Sequence, residues 1–191
     1  MEKVYFFTQN REKFLYAKKI FSEAGIRLVR RQKKFVELRS DDIAKVAGNK
    51  IRQANAGNTP FIVEDSGLFI KSLHGFPGGQ INFVIEKVGV EGLLRLVGNR
   101  GRSCFFRSVV GVSCNGQKKF FTQIDEGKIS NAVAKKQGAW AWSAIWKIFV
   151  PAGHSKQLSL FSGEEFKKIE ACWLKDSNFS RAAFFIRKEF L

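Results

Sequence analysis

The run Phe61-Ile62-Val63-Glu64-Asp65-Ser66-Gly67 decides how the chain is read. Three apolar residues, two of them β-branched, form a short buried strand. That strand is expected to end in two adjacent carboxylates at a glycine turn. Two neighbouring acids at a strand end are costly unless something positive lies between or beside them. A hard divalent cation such as Mg²⁺ suits them, because it prefers carboxylate oxygen, keeps several waters and bridges to phosphate. A carboxylate left free of the metal can then act as base toward a water. A capping aspartate in a tight turn is the other reading of the same residues.

Upstream, Ser40-Asp41-Asp42 caps a helix whose apolar residues Ile43, Val46, Ala47, Ile51 and Ala54 recur at helical spacing, and Gly57 ends it. Lys50 on this helix supplies positive charge to the same pocket. Glu37, expected on a strand just before the helix, is a candidate third acid. Further back, Lys3–Thr8 is a short apolar strand that ends in Thr8-Gln9-Asn10. A helix over Arg11–Ala24 follows, with Phe14, Ala17, Phe21 and Ala24 on one face and Gly25 as its C-cap. Hydroxyl, amide and free backbone N–H groups at a helix start make an anion site, and Lys13 adds a point charge there. Thr-x-Asn-x-x-Lys is also an ordinary N-cap, and the pattern alone does not choose. A second strand over Ile26–Arg31 opens the basic run Arg27, Arg30, Arg31, Lys33 and Lys34, which reads as a solvated edge or as a nucleic-acid contact.

Downstream, Gly75-Phe76-Pro77-Gly78 precedes two short helices near Ile81–Val88 and Glu91–Val97. Ser103–Cys114 and Gln117–Asp125 are strand-like and are joined by Asn115-Gly116, a strong hairpin signal. A last helix places Phe179, Ala182, Ala183, Ile186 and Phe190 on its inner face. The order predicts an α/β fold with an elongated mixed β-sheet and flanking helices, in one domain over 1–191. In open sheets of this kind, ligands gather outside the carboxyl ends of strands, where Thr8–Lys13 and Glu64–Gly67 both fall.

Composition narrows the function class. Charged residues make up 26% of 191, and 33 Lys and Arg against 17 Asp and Glu leave a net charge of +16. A field of that sign concentrates polyanions, nucleotides or nucleic acid alike. The three cysteines, Cys104, Cys114 and Cys172, form no CxxC pair and are expected to be buried free thiols. Two histidines leave few candidates for a histidine base. No apolar run reaches the roughly 20 residues that span a bilayer, and the start lacks a signal-peptide pattern, so a cytoplasmic location is expected. The 20 phenylalanines against 2 tyrosines have no functional reading.

Several motifs together resemble the inosine-triphosphatase (Ham1-like) family. Thr8-Gln9-Asn10-Arg11-Glu12-Lys13 looks like its Thr-Gly-Asn-x-x-Lys phosphate loop, with Gln9 in place of glycine. Phe35-Val36-Glu37-Leu38 resembles the segment with its metal-binding glutamate, and Lys50 with Arg52 and Ala54 its Lys-Ala-Arg helix. Val63-Glu64-Asp65-Ser66-Gly67-Leu68 is similar to its catalytic strand end, and Gly75-Phe76-Pro77-Gly78 to its Gly-Phe-Pro-Gly loop. The resemblance implies two lobes, about 1–100 and 101–191, around a nucleotide cleft, and a homodimer. It implies Mg²⁺-dependent cleavage of non-standard purine triphosphates (ITP, dITP, XTP) to monophosphate and pyrophosphate. Thr8, Asn10, Lys13, Ser66 and Gly67 would hold substrate, and Glu37 and Asp65 the metal. Asp65, Glu64 and Lys50 would carry the chemistry.

The base-framing segment departs from the family. Its Phe-Gly-Tyr/Trp-Asp-Pro-Ile-Phe is replaced by Trp140-Ala141-Trp142-Ser143-Ala144-Ile145-Trp146, without the Asp and Pro. Ser143 is the nearest substitute, and Trp140, Trp142 or Trp146 is a candidate to stack on a base. Of the family's Ser-His-Arg only Arg181 is kept, and Lys167–Asn178 reads as an insertion. Base choice is therefore expected to be altered or relaxed. The alternative is a catalytically reduced scaffold that binds nucleic acid through its basic surface.

Overall fold

The computed structural model describes residues 3–138 and 141–190; Trp140 lies outside them. The described residues form a mixed seven-stranded sheet with flanking helices. Its strands are β1 (Lys3–Phe7), β2 (Arg27–Arg31), β3 (Phe61–Ile70), β4 (Pro77–Gly78), β5 (Ser103–Cys114), β6 (Gln117–Ile129) and β7 (Phe149–Pro151). The order is β2-β1-β3-β5-β6-β7, with β4 against β3. β1 runs parallel to both β2 and β3, while β4 on β3 and β7 on β6 are antiparallel. The helices are α1 (Arg11–Glu23), α2 (Ile43–Gln53), α3 (Ile81–Val97), α4 (Gly163–Lys175) and α5 (Asn178–Phe190).

Two compact units share this chain. The first comprises Met1–Ser66, Ser108–Gln123 and Trp173–Leu191; the second comprises Gly67–Arg107 and Ile124–Cys172. In the first unit, Val4 and Phe6 of β1, Leu28 of β2 and Ile62 of β3 meet Ala17, Ile20 and Phe21 of α1 and Phe179, Ala182 and Ile186 of α5. The Phe6 and Phe179 rings meet edge to face at 5.7 Å. On the opposite face α2 comes down with Ile51 on Gly111, where a Cβ would lie 2.9 Å from the Ile51 side chain. Residues of β3 alternate between these two faces, and that alternation decides what each acid meets.

The hairpin forms as its sequence predicts, because Asn115 (φ 48°) and Gly116 (φ 75°) both take the left-handed backbone that such a two-residue turn requires. β6 continues to Ile129, four residues past the expected end. The two short helices form one segment, α3, broken at Gly89, whose φ of 68° and ψ of 178° no helix accommodates.

Three expectations are corrected. β3 does not turn at Gly67 but runs on to Ile70, since Leu68, Phe69 and Ile70 are as buried as Phe61–Val63. No strand forms around Glu37; residues 32–40 are irregular, and Val36 is 78% exposed. The segment Lys167–Asn178, read as an insertion, contains most of α4, which buries none of its residues. Ser162 and Glu165 cap it reciprocally, Glu165 N–H to Ser162 Oγ at 3.2 Å and Ser162 N–H to Glu165 Oε2 at 2.6 Å. Finally, Cys104 and Cys114 are buried but Cys172, on exposed α4, is not; burial pushes the Cys104 thiol up to about 12. No helix among the described residues is long and apolar enough to cross a membrane.

Gly67 serves a close approach of backbones. A Cβ on it would sit 2.6 Å from the carbonyl carbon and oxygen of Gly78 and 2.8 Å from the Gly79 nitrogen. Backbone atoms cannot swing aside as a side chain can, so Gly67→Ala is expected to cost about 1–3 kcal/mol. Urea unfolding of the variant against the parent measures it, with Gly163→Ala, where a Cβ meets nothing within 4 Å, as the control expected to show no comparable loss.

Candidate functional site

Glu64 and Asp65 lie side by side in β3 and point to opposite faces of the sheet. Glu64, with its side chain only 5% exposed, is on the α1 face, and Lys13 Nζ from the first turn of α1 reaches its Oε2 at 2.6 Å. The same ammonium donates to Ser66 Oγ at 2.9 Å, one step further along that face. Asp65 is on the α2 face, where Lys50 Nζ lies 3.4 Å from its Oδ2 and donates to the Glu64 carbonyl at 3.2 Å. Two helices thus each deliver one lysine to one carboxylate. The four side chains are between 5% and 22% exposed, so the pairs are poorly screened by solvent.

The first turn of α1 is built by capping. Asn10 Oδ1 accepts from the Lys13 backbone N–H at 2.9 Å, and Thr8 Oγ1 accepts from the Asn10 N–H at 3.1 Å. These bonds fix the helix start, and with it the direction in which Lys13 leaves. Both side chains keep donors for a ligand: the Thr8 hydroxyl hydrogen and the Asn10 amide hydrogens. Thr8 N–H is itself held by the Arg31 carbonyl at 3.1 Å, tying the loop to the end of β2.

Glu37 is exposed on the irregular segment between β2 and α2, and no cluster of three or more His, Cys, Asp or Glu suited to a metal occurs among the described residues. Its backbone is nonetheless anchored by two residues that sequence reasoning passed over. The Gln53 amide donates to the Val36 carbonyl at 2.9 Å and accepts from the Val36 N–H at 2.8 Å, as a neighbouring strand would. Asn49, one turn earlier on α2, adds a bond to the same carbonyl at 3.1 Å. Phe35 packs edge to face on Phe7 at 6.5 Å. The residue before Glu37 is thus pinned to the helix that carries Lys50. Asn49 and Gln53 at i and i+4 were the available signal.

The remaining candidates are occupied locally. Arg181 on α5 donates from Nη2 to the Thr122 carbonyl at 2.7 Å and pairs through Nε with Asp176 at 3.3 Å. In the second unit Trp146 is buried against Phe166 at 5.8 Å, and Trp142, 44% exposed, leans on Trp146 at 5.0 Å. Ser143 precedes a short 3-10 turn over Ala144–Lys147 without capping it.

A model of the Ham1 family matches residues 4–171. The chain belongs to the Ham1 family. Among its relatives, proteins named dITP/XTP pyrophosphatase from Methanopyrus kandleri and Pyrococcus horikoshii are 36% and 32% identical over 170 and 165 residues. Those matches cover 87% and 85% of this chain and 88% and 87% of the relatives. The protein of that name from Methanosarcina mazei is 37% identical over 133 residues, 68% of this chain and 72% of its own length. The same fold is found in a HAM1 protein from Coxiella burnetii (TM-score 0.75, 17% identity, 98% of both chains). It recurs in a nucleoside-triphosphatase / dITP/XTP pyrophosphatase from Mycobacterium abscessus (TM-score 0.73, 18% identity, 89% of this chain and 94% of that one). This Ham1 member is thereby placed in an enzyme family.

The electrostatics of its site carry a sign that can be tested. Burial raises the Asp65 pKa, Lys50 opposes it, and Glu64 adds to the rise. A folded-state pKa above the unfolded one means that the native state holds the extra proton between the two values. Stability is therefore full below the ordinary aspartate value of about 3.9 and declines as pH rises through the folded value. Asp65→Asn is expected to remove this decline: in EDTA-containing buffer, its stability relative to the parent should grow from pH 3 to pH 7 in urea unfolding. Gln53→Ala is expected to speed hydrogen exchange of the Val36 amide while costing under about 1 kcal/mol globally, since the bonds it removes are solvent-exposed.

Proposed function

We propose that this Ham1 protein hydrolyses non-canonical purine nucleoside triphosphates of the ITP, dITP or XTP kind to the monophosphate and pyrophosphate. The observation that carries the reading is the pairing of Lys13 with Glu64 and of Lys50 with Asp65 on β3, just past the Phe61–Val63 stretch that pairs in parallel with β1. Such a site holds cations ready for a polyanion and carboxylates ready for a metal and a water. The names of the relatives support the substrate class.

A Mg²⁺ ion fits the donor set. Magnesium is commonly held by one or two carboxylates plus substrate phosphate and water, not by an all-protein cage. Asp65 with Glu37 would hold it, Glu64 standing adjacent, and the ion when bound neutralises phosphate charge. The chain's own residues do the rest. Lys13 and the free donors of Thr8 and Asn10 receive phosphate oxygens at the start of α1. Ser66 and Gly67 border them on β3. Lys50 compensates charge that develops on the phosphoryl group. An ionised carboxylate of the Glu64–Asp65 pair takes the proton of the attacking water, the water oxygen bonds to the α-phosphorus, and pyrophosphate leaves with the bridging oxygen.

Base choice is where this chain differs from the family pattern. Arg181 keeps its Nη1 hydrogens for a purine oxygen. Ser143 and Trp142 stand where the family has its Asp and its aromatic frame. Losing an aspartate partner relaxes discrimination against the canonical bases, so the substrate range is proposed to be broader than that of a strict ITP enzyme. A homodimer is proposed from the resemblance.

Pyrophosphate release from ITP, XTP, dITP, ATP and GTP with Mg²⁺ tests the reading. Release from the deaminated purines is expected, and Asp65→Asn is expected to reduce it by about 10²- to 10⁴-fold. Arg181→Ala is expected to narrow the ITP-over-ATP ratio with less effect on the canonical rate. No release from any nucleotide by a folded protein would overturn the proposal.

A further inference from the structure

The edge of the sheet presents an arrangement that the hydrolytic site does not use. β2 is the terminal strand, and its register on β1 sets Lys3 beside Arg27, Tyr5 beside Val29 and Phe7 beside Arg31. Paired residues share a face, so Lys3, Tyr5, Arg27 and Arg31 all project from the same side of the edge. Lys3 and Arg27 are like charges directly across two strands, which is destabilising. No acid occurs between Arg27 and Val36 in sequence. Among the described residues no carboxylate pairs with Lys3, Arg27, Arg31, Lys33 or Lys34.

The nearest thing to a counter-charge is a phenol. Arg31 donates to Tyr5 Oη at 3.1 Å and lies over its ring at 4.5 Å, with Lys3 Nζ at 5.1 Å on the same ring. Hydrogen bonds from those two cations lower the Tyr5 pKa to about 8. A surface that leaves like charges unpaired and draws on a tyrosine for relief is complementary to an anion supplied from outside.

The length of the row indicates which anion. From Arg27 to Arg31 the strand rises roughly 13 Å at about 3.3 Å per residue, and Lys33 and Lys34 follow in the irregular segment after it. The Lys3–Arg27 end is at the amino ends of the parallel strands, whereas Thr8, Lys13 and Asp65 are at or beyond their carboxyl ends. The Arg31 carbonyl holds Thr8 N–H beside the hydrolytic site, and Arg27 lies roughly 13 Å further along the strand, so a flexible polyanion can follow the whole row. The flat Arg31–Tyr5 stack amid cations is the combination that binds single strands without sequence preference.

We infer that the β1–β2 edge is a docking surface for single-stranded nucleic acid, with Lys3, Arg27, Arg31, Lys33 and Lys34 on phosphates and the Arg31–Tyr5 stack beside the bases. The Lys3–Arg27 end of this surface lies at the opposite strand ends from Thr8, while Arg31 borders the phosphate loop.

The test is fluorescence anisotropy of a labelled 20-nucleotide single strand titrated with the protein at several KCl concentrations. Each single-strand phosphate contact contributes about 0.7 to the slope of log K against log salt, so R27A/R31A should flatten that slope by about 1.4. The control K167A/K168A, which removes the same charge from exposed α4, should leave the slope unchanged. Melting temperature checks folding; R27A alone removes a like-charge pair and should not lower it. Equal flattening by both double variants would mean that net charge alone is at work and would overturn the assignment. So would unchanged binding by R27A/R31A, tighter binding of a duplex of equal length, or selective loss of anionic vesicle binding in place of oligonucleotide binding. A salt-dependent fall in kcat/KM for nucleotides in R27A/R31A, without loss of oligonucleotide binding, would assign the edge to substrate steering and also overturn the inference.

Discussion

Two carboxylates buried next to each other in one strand impose the constraint on which the rest of the first unit depends. Each ionised oxygen taken from water costs several kcal/mol, of order, unless paired, and neighbouring acids repel as well. β3 solves this by its own alternation. Glu64 and Asp65 face opposite sides, and each has its own lysine, from its own layer. α1 must start where Lys13 reaches Glu64 at 2.6 Å, and α2 must lie where Lys50 reaches Asp65 at 3.4 Å. The caps at Thr8, Asn10 and Asp42 are the local devices that fix those positions. Once built, the arrangement is a functional site almost by default, because the pairs that make it tolerable are opposite charges that a metal and a phosphate chain can exchange with.

The same reasoning explains why the surrounding backbone is so closely held. Gly67 lets β4 approach so closely that a Cβ would meet the Gly78 backbone at 2.6 Å, a use for the glycine other than the turn it suggests in sequence. The Gln53 amide substitutes for a missing strand at Val36. Without it the Val36 N–H would lose its partner and the carbonyl would keep only the Asn49 bond, since β2 has ended at Arg31 and Val36 is too exposed to form a core strand.

What could be read from the sequence follows the range of the interactions. The Asn115-Gly116 hairpin, the break at Gly89, the caps of α1 and α2 and the inner face of α5 are local, and residue type alone indicates them. The order of the phosphate loop, Glu-Asp strand and Gly-Phe-Pro-Gly motifs sufficed for the family and thereby for the sheet. The pairing of Lys13 with Glu64 joins residues 51 apart, and no pattern in either segment specifies it. α4 was legible but passed over: its Ser162–Glu165 capping box and the helical spacing of Phe166, Ile169 and Trp173 are both in the sequence, although the helix fully buries none of them. β7 has three residues, too few for alternation to register. Phe35-Val36-Glu37-Leu38 misled in the opposite direction, since β-branched and aromatic content signals a strand only where a neighbour is present to pair with it.

The surplus of positive charge takes two different forms in this chain, and burial separates them. At Lys13 and Lys50 the cations are sheltered and committed, each to a carboxylate, so their charge contributes to structure until a ligand competes for it. Along Lys3, Arg27 and Arg31 the cations are set among their own kind, and among the described residues a phenol is what relieves them. A net charge of +16 explains neither arrangement, because evenly scattered lysines would give the same total with less repulsion. Placement is the informative quantity. Cations paired with acids at a strand end suit a small, highly charged ligand that brings its own metal. Cations spaced along an edge suit a long polyanion, because an extended anion can neutralise all of them at once.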